Sequence, residues 1–180
     1  MCVRTHIKGL GLKNFLQRYA ACVRTHGDDA PSQTPAIRAW GGVLQVYARL
    51  VPIIDAELQV AAGISLTWYD LLLELNAATD RRLTMSELGE RVVLSRSRVS
   101  RVVDELDAAG LVQREPHPQD RRSAYAVLTP AGRRRLRSAA PHYLAAIEEH
   151  FGRHLSKTEL ETVGRSLWRV HEAEKHVLML

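Results

Sequence analysis

Arginine is concentrated in one part of this sequence. Between Arg81 and Arg137 there are thirteen arginines, no lysine and seven acidic residues, a net charge of +6, so the rest of the 180-residue chain carries −1 of the total of +5. A guanidinium can form paired hydrogen bonds with phosphates and with guanine edges, which a lysine ammonium cannot do. The segment therefore predicts a local site for a polyanion, with a solvated charged face as the structural alternative.

Several of these arginines belong to a predicted helix that Ser95 can cap and that ends at Gly110. One face of this helix is apolar, formed by Val99, Val102, Val103 and Leu106. The opposite face carries short hydroxyls and long guanidiniums, which reach base edges and phosphates when a helix enters the major groove. The predicted DNA-contacting residues are Arg96, Ser97, Arg98, Ser100 and Arg101, with Asp104 on the same face. Pairing of Arg101 with Glu105 or Asp104, worth about 0.3 kcal/mol, is the structural alternative.

Two further arginines, Arg121 and Arg122, lie between two predicted strands. Residues 111–115 and 123–129 are separated by the turn-forming residues 116–120, which indicates a β-hairpin with a basic loop. Beside Arg121 and Arg122, the carboxylate of Asp120 can hold one guanidinium extended toward a narrow minor groove. A local salt bridge worth about 0 to 1 kcal/mol is the structural alternative.

Helices with apolar stripes surround this region. Steps of three and four predict a long packing helix from Ile37 to Leu58, which Pro52 should kink. Capping boxes are expected at three sites, Thr67 with Asp70, Thr84 with Glu87, and Ser156 with Glu159, and Thr129-Pro130 opens a further helix. The predicted fold class is mainly α with a small β-hairpin wing, a winged helix-turn-helix.

These motifs resemble those of the MarR family of bacterial transcriptional regulators over about residues 36–173. The resemblance is carried by Leu66-Thr67-Trp68-Tyr69-Asp70, Met85-Ser86-Glu87-Leu88, Leu94-Ser95-Arg96-Ser97, Ala109-Gly110-Leu111-Val112, Asp120-Arg121-Arg122-Ser123 and Val127-Leu128-Thr129-Pro130-Ala131-Gly132. It implies an intertwined helical homodimer that binds a pseudo-palindromic double-stranded DNA operator, as a repressor, through two recognition helices and two wings. By the family pattern, Asp120 orients Arg122 for the minor groove.

Three parts of the chain are predicted. Weak periodicity followed by the turn-forming residues 27–35 makes residues 1–35 an N-terminal extension and linker, with a helix expected at 12–23. The resemblance implies the other two parts. Residues 36–62 and 130–180 form the helical dimerisation region, in which the first, fifth and sixth helices join the two copies. Residues 63–129 form the winged helix-turn-helix lobe that binds DNA.

Control by a small phenolic or anionic effector is also implied by the resemblance. The candidate ligand-binding residues are Trp68, Tyr69, Asp70 and Arg114. Asp70 and Arg114 match the urate-responsive branch, but Val102 stands where that branch has a further Arg, and residues 1–35 contain no Trp. An aromatic or anionic effector of unknown identity is therefore favoured over urate.

Two alternatives from other classes remain open. Cys2 with His6 and Cys22 with His26 have a spacing that could bind zinc or support thiol sensing, which would make a metal- or redox-sensing regulator of the same fold. The second alternative is a helical interaction protein with a basic surface.

We expect no metal, no cofactor and no enzymatic activity, because hydrolase, nucleotide and metalloprotease signatures are absent. Without an apolar run of about 20 residues, a cytoplasmic protein that does not enter the membrane is expected.

Overall fold

A computed structural model of the chain describes residues 34–92, 94–119 and 123–174, and only the backbone of Arg96. The helices in these ranges are α1 (Pro35–Ala62), α2 (Leu66–Ala77), α3 (Met85–Arg91), α4 (Arg96–Ala108), α5 (Pro130–His150) and α6 (Lys157–Glu174). The strands are β1 (Arg82–Thr84), β2 (Val112–Pro116) and β3 (Ala124–Leu128), and single 3-10 turns lie at Thr79–Arg81 and Gly152–His154. The predicted helix at 12–23 lies outside the described residues.

The chain divides into two compact units, one ending at Ile53 and one beginning at Ile54. In the first unit, Leu44 is buried whereas Trp40 and Tyr47 are exposed. Pro52 lies inside α1, as predicted. Within the described ranges no single helix is long and apolar enough to cross a membrane, and α1 and α2 reach that length only together, across a bend.

The sheet of the second unit contains the predicted hairpin and one further strand. β2 and β3 pair antiparallel from Val112 opposite Leu128 to Pro116 opposite Ala124. On the other side of β3, β1 pairs antiparallel with Arg82 opposite Val127, which gives the order β1-β3-β2. The prediction of a two-stranded hairpin was therefore incomplete, because three residues are too few to show an alternating pattern.

One hydrophobic core holds the second unit together. It contains side chains from α2, α3, α4, the sheet and the first turns of α5. In α4 the apolar residues recur at steps of three and four, so they all point into this core and the polar residues between them face outward. The fully buried side chains are Leu58, Ile64, Leu71, Leu72, Leu75, Leu88, Leu106, Val99, Val103 and Val112.

Helix starts follow the predicted capping boxes at two of three positions. Reciprocal side-chain and backbone hydrogen bonds join Thr84 to Glu87 and Ser156 to Glu159. The box predicted for Thr67 with Asp70 is wrong. The N-cap is Ser65, two residues before Thr67, so α2 begins at Leu66, and the Trp68 amide donates to Oγ of Ser65 at 3.2 Å. Gly63, with a φ of 66°, and the Leu66 amide, which donates to Oδ1 of Asp55 at 2.6 Å, set this earlier start.

The start of α5 is joined closely to the base of the hairpin. Oγ1 of Thr129 donates to the carbonyl oxygen of Gly110 at 2.8 Å and accepts from the Gly132 amide at 3.0 Å. A Cβ at Gly132 would overlap the carbonyl oxygen of Leu111 and lie 2.8 Å from Cδ1 of Leu128. Only glycine fits this contact, so the end of α4, the hairpin and α5 meet at one rigid joint.

Candidate nucleic-acid interface

The outward face of α4 carries the residues predicted to contact DNA. Ser97, Arg98 and Arg101 are exposed, as is Asp104 one turn further along, and Ser100 is half-buried. The side chain of Arg96 lies outside the described part of the chain. Burial of the valines on the inner face fixes the rotation of α4, so the described guanidiniums of this helix point away from the core.

Arg114 on β2 joins the hairpin to α4. Its Nη2 lies 2.7 Å from Oδ1 of Asp104 and donates to the carbonyl oxygen and to Oγ of Ser100, both at 3.2 Å. Its Nε is buried and has no hydrogen-bond partner among the described residues. The contacts hold the first wing strand against the middle of α4. Arg114 is thus engaged by α4, and Ser100 contributes to this contact as well as to the predicted DNA face.

The tip of the hairpin contains the second predicted DNA contact. Asp120, Arg121 and Arg122 lie outside the described residues, so their roles stay predictions. On either side of them, the His117 amide donates to the carbonyl oxygen of Ser123 at 3.2 Å, and the His117 ring stacks on Tyr125 with centroids 4.8 Å apart. The two strands therefore converge on the basic tip.

A cavity of about 510 Å³ lies between the end of α1, the start of α2 and α4. In it, the indole Nε1 of Trp68 donates to Oε2 of Glu105 at 3.1 Å. Arg98 and Arg101 contribute to both this cavity and the exposed face of α4. The lining residues are Asp55, Ser65, Thr67, Trp68, Ser97, Arg98, Arg101, Val102 and Glu105. The lining combines an indole face with the two guanidiniums and with the carboxylates of Asp55 and Glu105, so it suits a planar ring whose anionic group is directed at Arg98 and Arg101.

The four predicted ligand residues do not meet in this cavity. Trp68 lines it, whereas Tyr69 is buried with its ring centroid 4.6 Å from that of Tyr143. Asp70 lies on the more exposed side of α2, and Arg114 contacts α4. The sequence does not indicate that α4 lines this cavity, because its pattern predicts DNA contacts alone for Arg98 and Arg101.

The carboxyl group of Asp70 has an unusual environment. Partial burial of the carboxylate, and secondarily the charge of Glu74, raise the pKa of Asp70 to about 6. Burial, and then the charge of Asp70, also raise the pKa of the hydroxyls of Tyr69 and Tyr143. The Asp70 carboxyl group therefore takes up a proton at a higher pH than an ordinary aspartate does.

Metal ligation was the main alternative chemistry. Within the described ranges, no three His, Cys, Asp or Glu side chains are grouped as metal ligands would be. Cys2, His6, Cys22 and His26 lie outside the described residues, so the predicted zinc or thiol sites there are not tested.

The arrangement of α3, α4 and the hairpin matches known proteins. A family model described as MarR family matches residues 62–123. The crystal structure of Sco3205 from Streptomyces coelicolor, a MarR family transcriptional regulator in complex with DNA, aligns with a TM-score of 0.70 and 31% identity over 79% of this chain and 93% of that one. The chain belongs to the MarR family. AbsC, another MarR family regulator from Streptomyces coelicolor, aligns with a TM-score of 0.70 and 30% identity over 82% and 99% of the two chains.

A curated MarR-type relative matches over a shorter segment. The HTH-type transcriptional repressor YetL of Bacillus subtilis (strain 168) is 31% identical over 85 residues, 47% of this chain and 51% of YetL. The chain thus spans about half the length of this relative. Membership of the MarR family confirms the predicted fold class, a mainly helical winged helix-turn-helix. It also agrees with the prediction of a regulator rather than an enzyme, because the relatives are named as transcriptional regulators and repressors.

Proposed function

We propose that this chain is a transcriptional repressor that acts in the cytoplasm as a homodimer and binds a pseudo-palindromic operator in double-stranded DNA. A small aromatic or anionic effector lowers its affinity for DNA. The observation that carries the proposal is the exposed, guanidinium-bearing face of α4, fixed by its buried valines and held against the wing strand by Arg114.

The charges of this face suit a duplex. Arg98 and Arg101 extend from α4 into solvent, next to the short hydroxyl of Ser97. A recognition helix of this kind reads base edges in the major groove, while arginines at a hairpin tip contact the adjacent minor groove. Arg122 is the tip residue proposed for the minor groove, with Asp120 orienting it and Arg121 beside it.

Exposed apolar side chains support the homodimer. On α5 and α6, Leu144, Leu167 and Val170 are 62%, 46% and 61% exposed in the single chain. Large apolar side chains exposed on two neighbouring segments of the chain suit an interaction site, and burial against a second copy would remove them from water. A two-fold dimer also matches the symmetry of a palindromic operator.

The cavity beside Trp68 suggests how an effector acts. Arg98 and Arg101 face both the cavity and the proposed DNA surface. An anion in the cavity pairs with these guanidiniums and competes with DNA phosphates for the same charges. A ligand that binds only the DNA-free form weakens DNA binding by mass action.

The direct test is duplex binding by the effector-free protein. Fragments bound by the protein are first selected from the host genome, and the affinity for the best one is then measured against salt concentration. We expect a steep, linear log–log dependence of the association constant on salt. Arg101→Gln should weaken binding by about 1 to 3 kcal/mol and reduce the salt slope by about one.

Arg153→Gln is the matched control. It removes the same charge from an exposed arginine whose ion pair is with Glu149, outside the proposed DNA face. Its duplex affinity should equal that of the wild type. If the effector-free protein shows no preference for any duplex at low ionic strength, the proposed function is wrong.

A further inference from the structure

A second group of arginines lies apart from the face of α4. Arg133 and Arg137 are one helical turn apart on α5, and Arg81 immediately precedes β1. The guanidiniums of Arg137 and then Arg81 lower the pKa of Arg133. We call these three residues the distal arginine cluster.

The cluster has no compensating acid in the described part of the chain. None of its members takes part in the ion pairs found among the described residues. The segment of α5 that contains Arg133 and Arg137 has the sequence Gly-Arg-Arg-Arg-Leu-Arg, and the first acidic residue of that helix is Glu148. Like charges one turn apart destabilise a helix, and surface arginines are usually interspersed with acids. An uncompensated group indicates that an anion comes from outside.

The strand register places this cluster away from the hairpin tip. The ladder of β2 and β3 runs from Val112 opposite Leu128, at the base, to Pro116 opposite Ala124, toward the tip. Arg82 pairs with Val127, and α5 begins at Pro130, so the cluster lies at the base of the sheet. A five-residue ladder is about 17 Å long. The cluster is therefore separate from the hairpin tip, where Arg122 is proposed to contact the operator.

Local geometry also sets the cluster apart from an ordinary solvated surface. Asp80 and Arg81 both have a φ of 54°, in the left-handed region that residues with a Cβ rarely adopt. Arg133 is half-buried, and its Nε is buried without a hydrogen-bond partner among the described residues. Strained backbone and unsatisfied donors of this kind are concentrated at binding sites.

We propose that the distal arginine cluster binds a compact anion with two or more phosphate groups, of the oligophosphate class. Guanidinium forks match phosphate oxygens, and three such groups at one end of the sheet supply charge for more than a single phosphate. A duplex backbone instead presents its charges in a long line and is met by cations spaced along a groove or stripe. Because Arg133 and Arg137 are one helical turn apart and Arg81 lies at the same end of the sheet, the cluster suits a compact ligand.

Titration with sodium triphosphate tests the site in the full-length chain. We expect saturable binding by calorimetry at low ionic strength, weakening as salt screens the charges. Arg133→Gln and Arg137→Gln should each reduce the affinity by at least about tenfold. Arg134→Gln is the matched control, because it removes the same charge from an exposed neighbour that does not contribute to the pKa change of Arg133. Its affinity should stay within about threefold of the wild type.

Thermal melting without ligand gives a second, independent readout. Removing one of three repelling charges should raise the melting temperature of Arg137→Gln above that of Arg134→Gln at low salt, and high salt should abolish the difference. A lower melting temperature for Arg137→Gln at both salt concentrations would make the arginine structural and overturn the proposal.

Two further outcomes would also overturn it. One is triphosphate binding that is absent, or equally strong in Arg133→Gln and the wild type. The other is loss of duplex affinity in Arg133→Gln without triphosphate binding, which would assign the cluster to nucleic acid. Duplex binding through α4 is measured separately with Arg101→Gln, so failure of the proposed repressor function is distinguishable from failure of this site.

Discussion

Arg114 on the first wing strand reaches back to the recognition helix, where its Nη2 lies 2.7 Å from Oδ1 of Asp104. The arginine side chain is 30% exposed and that of Asp104 is 63% exposed. Solvent screens an ion pair of this kind, so its contribution to folding is small. We infer that its main effect is to hold together the two elements proposed to contact adjacent grooves of one duplex.

Replacing Arg114 separates these two effects. We expect Arg114→Met to change the free energy of unfolding by no more than about 1 kcal/mol. Its operator affinity should fall by about threefold to tenfold, because the wing is no longer held against α4. Urea denaturation and fluorescence anisotropy measure the two quantities. Arg153→Met is the control, because it also loses one surface ion pair, and it should leave the operator affinity unchanged. If the wild type, Arg114→Met and Arg153→Met all bind the operator equally well, the contact of Arg114 with α4 does not orient the wing.

Gly132 and Gly164 give opposite predictions for the same substitution. Gly132→Ala places a methyl group against the Leu111 carbonyl, so we expect it to destabilise the fold by about 1 to 3 kcal/mol or more. Gly164 lies inside α6 with nothing within 4 Å of a built Cβ, so Gly164→Ala should stabilise by up to about 1 kcal/mol. Urea denaturation of both variants checks the pair. A Gly132→Ala protein as stable as the wild type would contradict the close contact.

The raised pKa of Asp70 predicts a pH dependence of stability. The pKa of its carboxyl group is about 6 in the folded chain, against 3.8 for an ordinary aspartate. The folded state therefore binds the proton more tightly, and stability falls as pH rises from about 4 to 6. Above that range both states are ionised, and the penalty for the partly buried carboxylate is complete.

Asp70→Asn removes this penalty. Because the residue is more than a third exposed, screening limits the gain to about 1 kcal/mol at pH 7.5, and the gain should vanish near pH 4. Denaturant unfolding at the two pH values measures it. An equal gain in the free energy of unfolding at both pH values would show that the effect does not come from ionisation of Asp70.

Trp68 provides an internal reporter for the effector cavity. With Trp40→Phe and Trp168→Phe in place, Trp68 is the remaining tryptophan. We expect an aromatic acid that releases DNA to quench its emission over the same concentration range, because the indole lines the cavity. Trp68→Leu should bind the operator but respond to that acid at least about tenfold more weakly. Unchanged release from Trp68→Leu would place the effector elsewhere.

Leu167 tests the proposed dimer. Leu167→Glu would bury a charge without a partner if this face meets a second copy, so dimerisation and operator binding should both be lost. Sedimentation velocity and anisotropy report them. Thr158→Glu, at an exposed position in the first turn of α6, should remain dimeric. A folded Leu167→Glu monomer with wild-type affinity for the palindrome would rule out this interface.

Local patterns in the sequence predicted most of the elements. The alternation of Val99, Val103 and Leu106 with Arg98 and Arg101 was enough to orient α4, because burial on one face dictates exposure on the other. The hairpin and the caps at Thr84 and Ser156 followed from spacing alone.

The features that sequence reasoning missed depend on contacts between distant segments. Thr67 and Asp70 have the spacing of a capping box, but the bond from the Leu66 amide to Asp55 starts the helix earlier. Asp70 and Arg114 match the pattern of the urate-responsive branch, whereas tertiary structure brings Arg114 to Asp104. Strand β1 forms only because β3 lies alongside it.

The absence of a side chain at Gly132 has a mechanical consequence. Where α5 meets the hairpin, the Gly132 backbone lies against the carbonyl group of Leu111, and only the side chains of Leu128 and Thr129 stand beside this contact. Little rotatable material separates the two elements there. In the proposed dimer, a signal that alters the separation of the two recognition helices would therefore have to move each hairpin together with the start of its α5.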